Sequence, residues 1–252
     1  MMKLARACLR VQNAAELEAF YCSLLGMRRL GSADAPAFGY DPAQCLLELD
    51  EGKFAPYTAS SDDLYWKIGI TVKNLDSAVA YLRASGYEVS APRQFRDIGY
   101  LCHLHDPAGF VIELLQQGFE GNEGPSGDGH AIGGQATLAH VTLRVCDIAA
   151  TRRYCEGQLG MRLMSIQPVR DLGFTLYFYA WSDEVLPNED LEAVENREWL
   201  WLRPYTLLEL QHLESSDQIK APDVRAAGFA GIGVENDVGD LRYLSFQSFL
   251  SL

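Results

Sequence analysis

The sequence contains an internal repeat, and this repeat limits the folds that the chain can adopt. Residues 4–11 (LARACLRV) and 138–145 (LAHVTLRV) share two leucines, an alanine, an arginine and a valine at one constant offset. At the same offset, the tetrapeptide LGMR of residues 25–28 recurs at 159–162. Two ungapped matches in a single register indicate a duplicated structural unit.

A weaker repeat divides each half of the chain again. Residues 67–70 (KIGI) resemble residues 231–234 (GIGV), which gives four units that begin near residues 3, 66, 137 and 229. Each unit starts with alternating apolar residues, typical of a half-buried strand, and continues with an amphipathic helix and short apolar strands. This order predicts an α+β fold of tandem βαβββ modules. We expect the fourth module to be incomplete, with the chain ending within or just past its helix.

The segment 119–136 is rich in glycine and also contains proline, serine and asparagine. Such a composition is typical of a linker. We therefore predict two halves, 1–118 and 137–252, each holding two modules, with a truncated module at the end of the second half.

Charge and cysteine usage limit the partners. The formal net charge is −13, which argues against nucleic acid and against an anionic membrane surface. No apolar run approaches the roughly 20 residues of a membrane-spanning helix. The six cysteines are scattered without a C-x-x-C pair, as expected of reduced thiols in the cytoplasm.

Several segments resemble one superfamily. Residues 106–114 (DPAGFVIEL) are similar to the D-P-x-G-x-x-I-E-L ending of the glyoxalase/bleomycin-resistance/extradiol-dioxygenase proteins, the vicinal oxygen chelate superfamily. In the third module, residues 174–178 (FTLYF), 206–210 (TLLEL) and 228–233 (GFAGIG) resemble its glyoxalase I branch. The resemblance implies that modules pair into half-open barrels. It also implies that each barrel holds a divalent metal, with one ligand from each first strand and one from each late strand.

Carrying these ligand positions over gives an uneven set. The first-strand and late-strand positions of the first three modules are Arg6 with Glu48, Lys67 with Glu113, and His140 with Glu209. The first-strand position of the fourth module is Gly231, and we expect no late strand in that module. Arginine and lysine carry protons and are not ordinary metal ligands, so only His140 and Glu209 form an intact pair.

The way in which modules pair decides what these residues can do. If neighbouring modules pair, the cations and carboxylates of modules one and two would balance each other without metal. If modules two and three pair, His140, Glu209 and Glu113 would become three metal ligands beside Lys67. We favour the second pairing because it alone gives a chemically sensible site for zinc, nickel, manganese or iron. A strand histidine can equally be a core residue, so both interpretations of His140 stay open.

The resemblance implies a metal-dependent lyase that converts the hemithioacetal of a 2-oxoaldehyde through an enediolate. Glu113 and Glu209 would then be the catalytic carboxylates. Arg144, its repeat partner Arg10, and Lys67 would bind the substrate, which could be a glutathione conjugate. For Arg144 a strand-end salt bridge is an equal alternative.

Two other functions compete with the lyase. One is a metal-free small-molecule binding protein of the bleomycin-resistance type, favoured by the basic residues at the first-strand positions of modules one and two. The other is a type I extradiol dioxygenase, which needs a second histidine where Gly231 stands. We interpret His103 and His105 as a solvated strand face. A homodimer is one way to cover the sheet edge that missing strands would expose.

Overall fold

The computed structural model describes residues 2–31, 36–124 and 129–250. Its strands are β1 (Lys3–Val11), β2 (Arg28–Arg29), β3 (Ala37–Gly39), β4 (Leu46–Glu51), β5 (Tyr65–Val72), β6 (Arg93–Phe95), β7 (Gly99–His105), β8 (Val111–Gln116), β9 (Thr137–Val145), β10 (Arg162–Val169), β11 (Phe174–Ala180), β12 (Leu207–Leu213), β13 (Gly228–Glu235) and β14 (Leu241–Tyr243). Its α-helices are α1 (Ala14–Glu18), α2 (Leu75–Ala84), α3 (Ile148–Arg152) and α4 (Glu195–Trp201). π-Helical turns at Ala19–Leu24 and Arg153–Gln158 extend α1 and α3, and 3-10 turns lie at Arg170–Leu172 and Phe246–Ser248.

The strands form two mixed sheets. The eight-stranded sheet has the order β10-β11-β12-β9-β5-β8-β7-β6, and the six-stranded sheet has the order β14-β13-β1-β4-β3-β2. Module two therefore pairs with module three, and module one pairs with module four. The favoured pairing and the α+β class are both confirmed. Each sheet takes strands from both sides of the segment 119–136.

The seam between modules two and three is the antiparallel pair β5 and β9. Gly69 of β5 lies opposite His140 of β9. Strand β8 runs parallel to β5 and places Glu113 beside Gly69, while β12 runs parallel to β9 and places Glu209 beside Thr142. This register brings the late-strand glutamates of both modules to the same seam.

Helix α2 shows why the helical segments form where the pattern predicts them. The side chain of Asn74 accepts a hydrogen bond from the backbone N–H of Ser77 and caps the first turn. The apolar residues at helical spacing, Leu75, Ala78, Val79 and Leu82, are buried. Helices α1 and α3 begin in the same way, each with a capping Asn or Asp side chain. None of the helices in the described residues is long and apolar enough to cross a membrane.

Helix α4, between β11 and β12, contacts β10 of module three and the β6–β7 turn of module two. Trp201 is 2% exposed, and its indole N–H donates to the backbone carbonyl of Ile98, 3.1 Å away in module two. Arg197 of the same helix donates to the carbonyl of Asp97 at 2.8 Å. The helix thus ties module three to the β6–β7 turn, and its tryptophan borders the candidate site described below.

The helix expected in module four is absent from the described residues, and this prediction was wrong. The side chain of Asn236 accepts hydrogen bonds from the backbone N–H groups of Val238 and Asp240. This tight turn includes Gly239, which has a positive φ of 86°. The chain therefore folds straight back, and β14 pairs with β13.

Candidate functional site

A cavity of about 200 Å³ lies between modules two and three. Its apolar lining consists of Trp66, Phe95, Ile98, Leu101, Leu115, Leu172, Phe174, Leu176, Phe178 and Trp201, which we call the apolar wall. Its polar lining consists of Lys67, Arg93, His103, Glu113 and Glu209. Half of the apolar wall is aromatic, so the cavity offers flat faces to a ligand.

Three of the polar lining residues belong to a charged cluster, which is defined as Lys67, Glu113, His140 and Glu209. The Lys67 ammonium lies 2.6 Å from Glu113 Oε2 and 3.7 Å from Glu209 Oε2. The three side chains are only 3%, 6% and 1% exposed. Carboxylates at such depth are costly unless a cation compensates them. Lys67 provides that compensation for both glutamates.

His140 lies between the same two carboxylates. Its Nε2 is 3.1 Å from Glu209 Oε2 and 3.3 Å from Glu113 Oε1. Glu209 Oε2 also accepts a hydrogen bond of 3.0 Å from the hydroxyl of Thr142. Within the described part of the chain, neither ring nitrogen of His140 makes a hydrogen bond of good geometry. The imidazole is therefore a buried polar group that is held by packing and by the nearby charges.

The charges of the cluster reinforce one another. Burial by itself would raise the pKa of Glu113, but the Lys67 ammonium and the two imidazoles of His103 and His140 outweigh burial. The pKa of Glu113 consequently lies well below its ordinary value. Glu113 is an anion at neutral pH, and it is the residue on which the contacts of the cluster converge.

His103 is the site residue that sequence reasoning missed. It lies opposite Glu113 in the β7–β8 pair, and its Nε2 is 3.1 Å from Glu113 Oε2. The side chain is 33% exposed, so the expectation of a solvated face holds only in part for His103, which also contacts Glu113. That expectation is confirmed for His105, which is exposed. The alternation His103-Leu104-His105 did place both on one face, but the register of β7 against β8 could not be deduced from it.

The residues of the cluster do not fit a resident divalent metal. His140, Glu113 and Glu209 do lie together as the sequence predicted, but the Lys67 ammonium lies within 4 Å of both carboxylates and already supplies a cation beside them. Across residues 2–31, 36–124 and 129–250, no group of three or more His, Cys, Asp or Glu side chains is arranged to hold a metal ion. The family's metal chemistry is therefore not assigned to this cluster.

Arg144 lies beside the cavity, and its side chain makes hydrogen bonds with other residues of the protein. Its guanidinium donates to Gln211 Oε1 at 3.0 Å and to the carbonyl of Ser60 at 2.9 Å. It also lies 4.9 Å from the ring centre of Trp66, which belongs to the apolar wall. Arg144 therefore supports the wall from outside and does not itself line the cavity.

Arg10, the repeat partner of Arg144, lies in a different place. Its guanidinium donates to the backbone carbonyls of Asp223, Ala226 and Phe229 at 2.9 to 3.1 Å. It borders a second cavity of about 270 Å³. The structure therefore separates Arg10 from the charged cluster and engages it in holding β1 to the chain around β13.

The six-stranded sheet carries a reduced version of the cluster. Arg6 Nε lies 3.6 Å from Glu48 Oε2, and the hydroxyl of Tyr243 donates to Glu48 Oε1 at 3.1 Å. Gly231 lies opposite Cys8 in the β1–β13 pair and offers no side chain. As in the other sheet, a basic residue on the first strand neutralises the late-strand glutamate.

Comparison with known proteins agrees with this architecture. A family model described as the glyoxalase/bleomycin resistance protein/dioxygenase superfamily matches residues 3–114. The crystal structure of glyoxalase I from Zea mays superposes with a TM-score of 0.68 at 18% identity, covering 93% of this chain and 74% of that one. A glyoxalase/dioxygenase from Nostoc punctiforme gives a TM-score of 0.38 at 21% identity over 45% of this chain and 90% of its own. An antibiotic binding protein from Streptomyces gives 0.36 at 18% identity over 45% and 93%.

These comparisons show what the chain is similar to. No curated protein matches the sequence. The first two modules, residues 3–114, match the model of the glyoxalase/bleomycin resistance protein/dioxygenase superfamily, and the overall architecture of the chain is similar to that of the maize glyoxalase I structure. At this level of identity the likeness shows the fold, and one fold supports many chemistries.

Proposed function

We propose that the half-barrel of modules two and three binds a small aromatic or apolar molecule, and that it does so without a resident metal. The observation that carries the proposal is an aromatic-lined cavity closed by a buried cluster whose cation is Lys67. Such a cavity with a few convergent polar groups is the usual form of a small-molecule site.

The size of the cavity limits the ligand. Its volume of about 200 Å³ is below the roughly 300–1,000 Å³ of sites for drug-sized molecules. A ligand of one or two aromatic rings would fill it and contact Trp66, Phe178 and Trp201. Aromatic faces favour offset or edge-to-face contacts with such rings.

The polar lining would orient the ligand. His103 is the most exposed member of the polar group around Glu113, while Lys67 and Glu113 present little accessible surface. A hydroxyl or carbonyl on the ligand would meet His103 first. The guanidinium groups of Arg10 and Arg144 already bind carbonyl and amide oxygens of the protein, so a glutathione carboxylate is not part of the proposal.

The lyase that the sequence favoured requires a metal ion to stabilise its enediolate. The convergence of His140, Glu113 and Glu209 is what recommends it. The contact of Lys67 with both carboxylates argues against it, because the ammonium would have to leave before an ion could enter. The extradiol dioxygenase needs a metal too, and no imidazole can come from Gly231. Binding without metal is therefore the function that the geometry supports best.

The test measures the binding of 1-naphthol, used as the probe, by isothermal titration calorimetry. We expect the wild-type protein to bind it, and we expect Leu176→Trp, which fills the cavity, to weaken binding at least about tenfold, or roughly 1.4 kcal/mol. Val185→Trp is the matched control, because Val185 is 87% exposed and lies outside the cavity. Equal affinity of wild type and Leu176→Trp would contradict the proposal.

A parallel assay examines the lyase. Wild-type protein is supplied with zinc, nickel, manganese or ferrous iron and then with methylglyoxal and glutathione, and thioester formation is followed by absorbance. We expect no turnover above the uncatalysed rate. Metal-dependent turnover that disappears in Glu209→Gln would replace the binding proposal with the lyase.

A further inference from the structure

We infer that Lys67 is a built-in cation that takes the place of a divalent metal ion, and that a single substitution of Lys67 uncovers a metal site. The inference rests on the proposed function, since it gives the reason why the cavity would work without metal. It predicts a property that the wild-type protein lacks and that two designed variants gain.

The spacing of the cluster supports the inference. Ligands that each lie about 2.0–2.2 Å from one zinc ion are separated from each other by about 3.0–3.5 Å. His140 Nε2 lies 3.1 Å from Glu209 Oε2 and 3.3 Å from Glu113 Oε1. The imidazole thus lies at the distance from each carboxylate that two ligands of one ion would have.

Charge gives the second argument. Glu113 and Glu209 bring two negative charges into a buried space, and Lys67 returns one positive charge within 4 Å of both. The ammonium is further held 4.5 Å from the ring centre of Trp66, a favourable position for a cation. When Lys67 is replaced by a residue without this charge, two buried carboxylates lose their neighbouring cation. A divalent ion would then neutralise both of them.

Packing gives the third argument, because His140 and Glu209 have contacts that do not involve Lys67. The ring of His140 lies 6.0 Å from Trp201 and 6.3 Å from Phe178, measured between ring centres. Glu209 is held by the hydroxyl of Thr142. We therefore expect the His140 imidazole and the Glu209 carboxylate to keep their positions when Lys67 is replaced.

The six-stranded sheet provides a matched control within the same chain. Arg6 neutralises Glu48 at the corresponding position, but the partner position there is Gly231. Neutralising Arg6 would leave a carboxylate without an imidazole beside it. We therefore expect Arg6→Met to gain no metal site, whereas Lys67→Met and Lys67→His gain one.

The experiment measures metal content. Wild type, Lys67→Met, Lys67→His, Arg6→Met and the double variant Lys67→His with His140→Ala are incubated with zinc chloride, desalted and analysed by mass spectrometry. We expect about one zinc ion per chain in Lys67→His. We expect Lys67→Met to bind zinc with lower affinity, so that its zinc content rises with the zinc concentration, and the other three proteins to hold far less than one ion per chain. Cobalt(II) loading of Lys67→His should give the visible absorption of a nitrogen- and oxygen-bound ion, which is absent in wild type.

Each result bears on the inference. About one zinc ion per wild-type chain would overturn it, and so would folded Lys67→His and Lys67→Met chains that both stay free of zinc. A variant that unfolds without metal and refolds on adding zinc supports it, because metal binding then contributes folding free energy. A variant that zinc does not refold counts against it. Binding of 1-naphthol to wild type tests the proposed function separately, so failure of one can be told from failure of the other.

Discussion

The imidazole of His140 lies directly against the bare Cα of Gly69 on the neighbouring strand. A Cβ built at residue 69 would stand 2.0 Å from both Cε1 and Nε2 of His140. Such a distance is far inside van der Waals contact, so no side chain fits at residue 69 while the ring keeps its place. The glycine of β5 is thus the reason that a histidine of β9 can lie between two glutamates.

We expect Gly69→Ala to destabilise the protein by about 1 to 3 kcal/mol, because a methyl group would force the buried imidazole out of position. The measurement is the free energy of unfolding in urea. Gly157→Ala is the control, since nothing lies within 4 Å of a Cβ at residue 157. In the His140→Ala background the cost of Gly69→Ala should shrink, and an unchanged cost would show that the clash is not with His140.

Removing one partner of the buried Lys67–Glu113 ion pair should lower the free energy of unfolding far more than removing one partner of an exposed ion pair. We expect Lys67→Met to lower the free energy of unfolding in metal-free buffer by about 3 to 5 kcal/mol, because Glu113 is left buried and unpaired. The exposed pair of Lys220 and Asp62 gives the control, and Lys220→Met should change stability by less than about 1 kcal/mol. Adding Glu113→Leu to Lys67→Met should recover part of the loss, whereas an additive loss would contradict the pairing.

The dependence of stability on pH should follow the lowered pKa of Glu113. In the unfolded chain a glutamate titrates near pH 4.3, above its pKa in the folded protein. As pH falls, the unfolded state therefore binds a proton first, and the stabilisation by Glu113 is lost. It is complete above about pH 5 and disappears as pH falls through the folded pKa. Urea unfolding from about pH 6 down to about pH 2.5 should show a decline that Glu113→Gln reduces and the exposed Glu189→Gln leaves intact.

His103 should contribute to the same titration. Its imidazole helps to lower the pKa of Glu113, so His103→Leu should raise that pKa and move acid unfolding to higher pH. His105→Leu on the same strand is the control, because His105 is exposed. Acid unfolding is followed by circular dichroism. The same midpoint in both variants would mean that His103 has no effect on Glu113.

Arg10 should matter for stability and not for ligand binding. Its buried guanidinium holds three backbone carbonyls, so we expect Arg10→Gln to cost about 2 to 4 kcal/mol. Arg225→Gln, at an exposed site, should cost less than about 0.5 kcal/mol. The affinity for 1-naphthol should be the same in both variants. A selective loss of affinity in Arg10→Gln would instead restore Arg10 as a substrate-binding residue.

The sequence predicted the modules and the central residues of the site because repetition is visible in a linear chain. The resemblance, carried over module by module, placed Lys67 and His140 at the first-strand position and Glu113 and Glu209 at the late-strand position. The chemistry of the set favoured the pairing that the structure has. The basic residue at position 67 was also recognised as a non-ligand. What the pattern could not give was the distance between the ammonium and the two carboxylates.

Other features depend on contacts between distant segments, which no local pattern encodes. The place of His103 follows from the register of β7 on β8, and the role of Gly69 follows from the approach of β9. Helix α4 contributes Trp201 to the site from an insertion that the repeat does not contain. The turn at Asn236 replaced the expected helix because a capping side chain turned the chain within a few residues.

The two sheets are nested along the chain, and this has a consequence for the order in which the protein folds. Strands β5 to β12 are contiguous in sequence, whereas β1 must wait for β13 before its sheet is complete. Contacts between such distant segments carry a large loop-closure cost and slow folding. During synthesis the inner sheet, with the charged cluster, can form while the first module still lacks its partner. The edge of β1 is then exposed to other nascent chains on the same polysome, and binding of a chaperone at that stage would protect it.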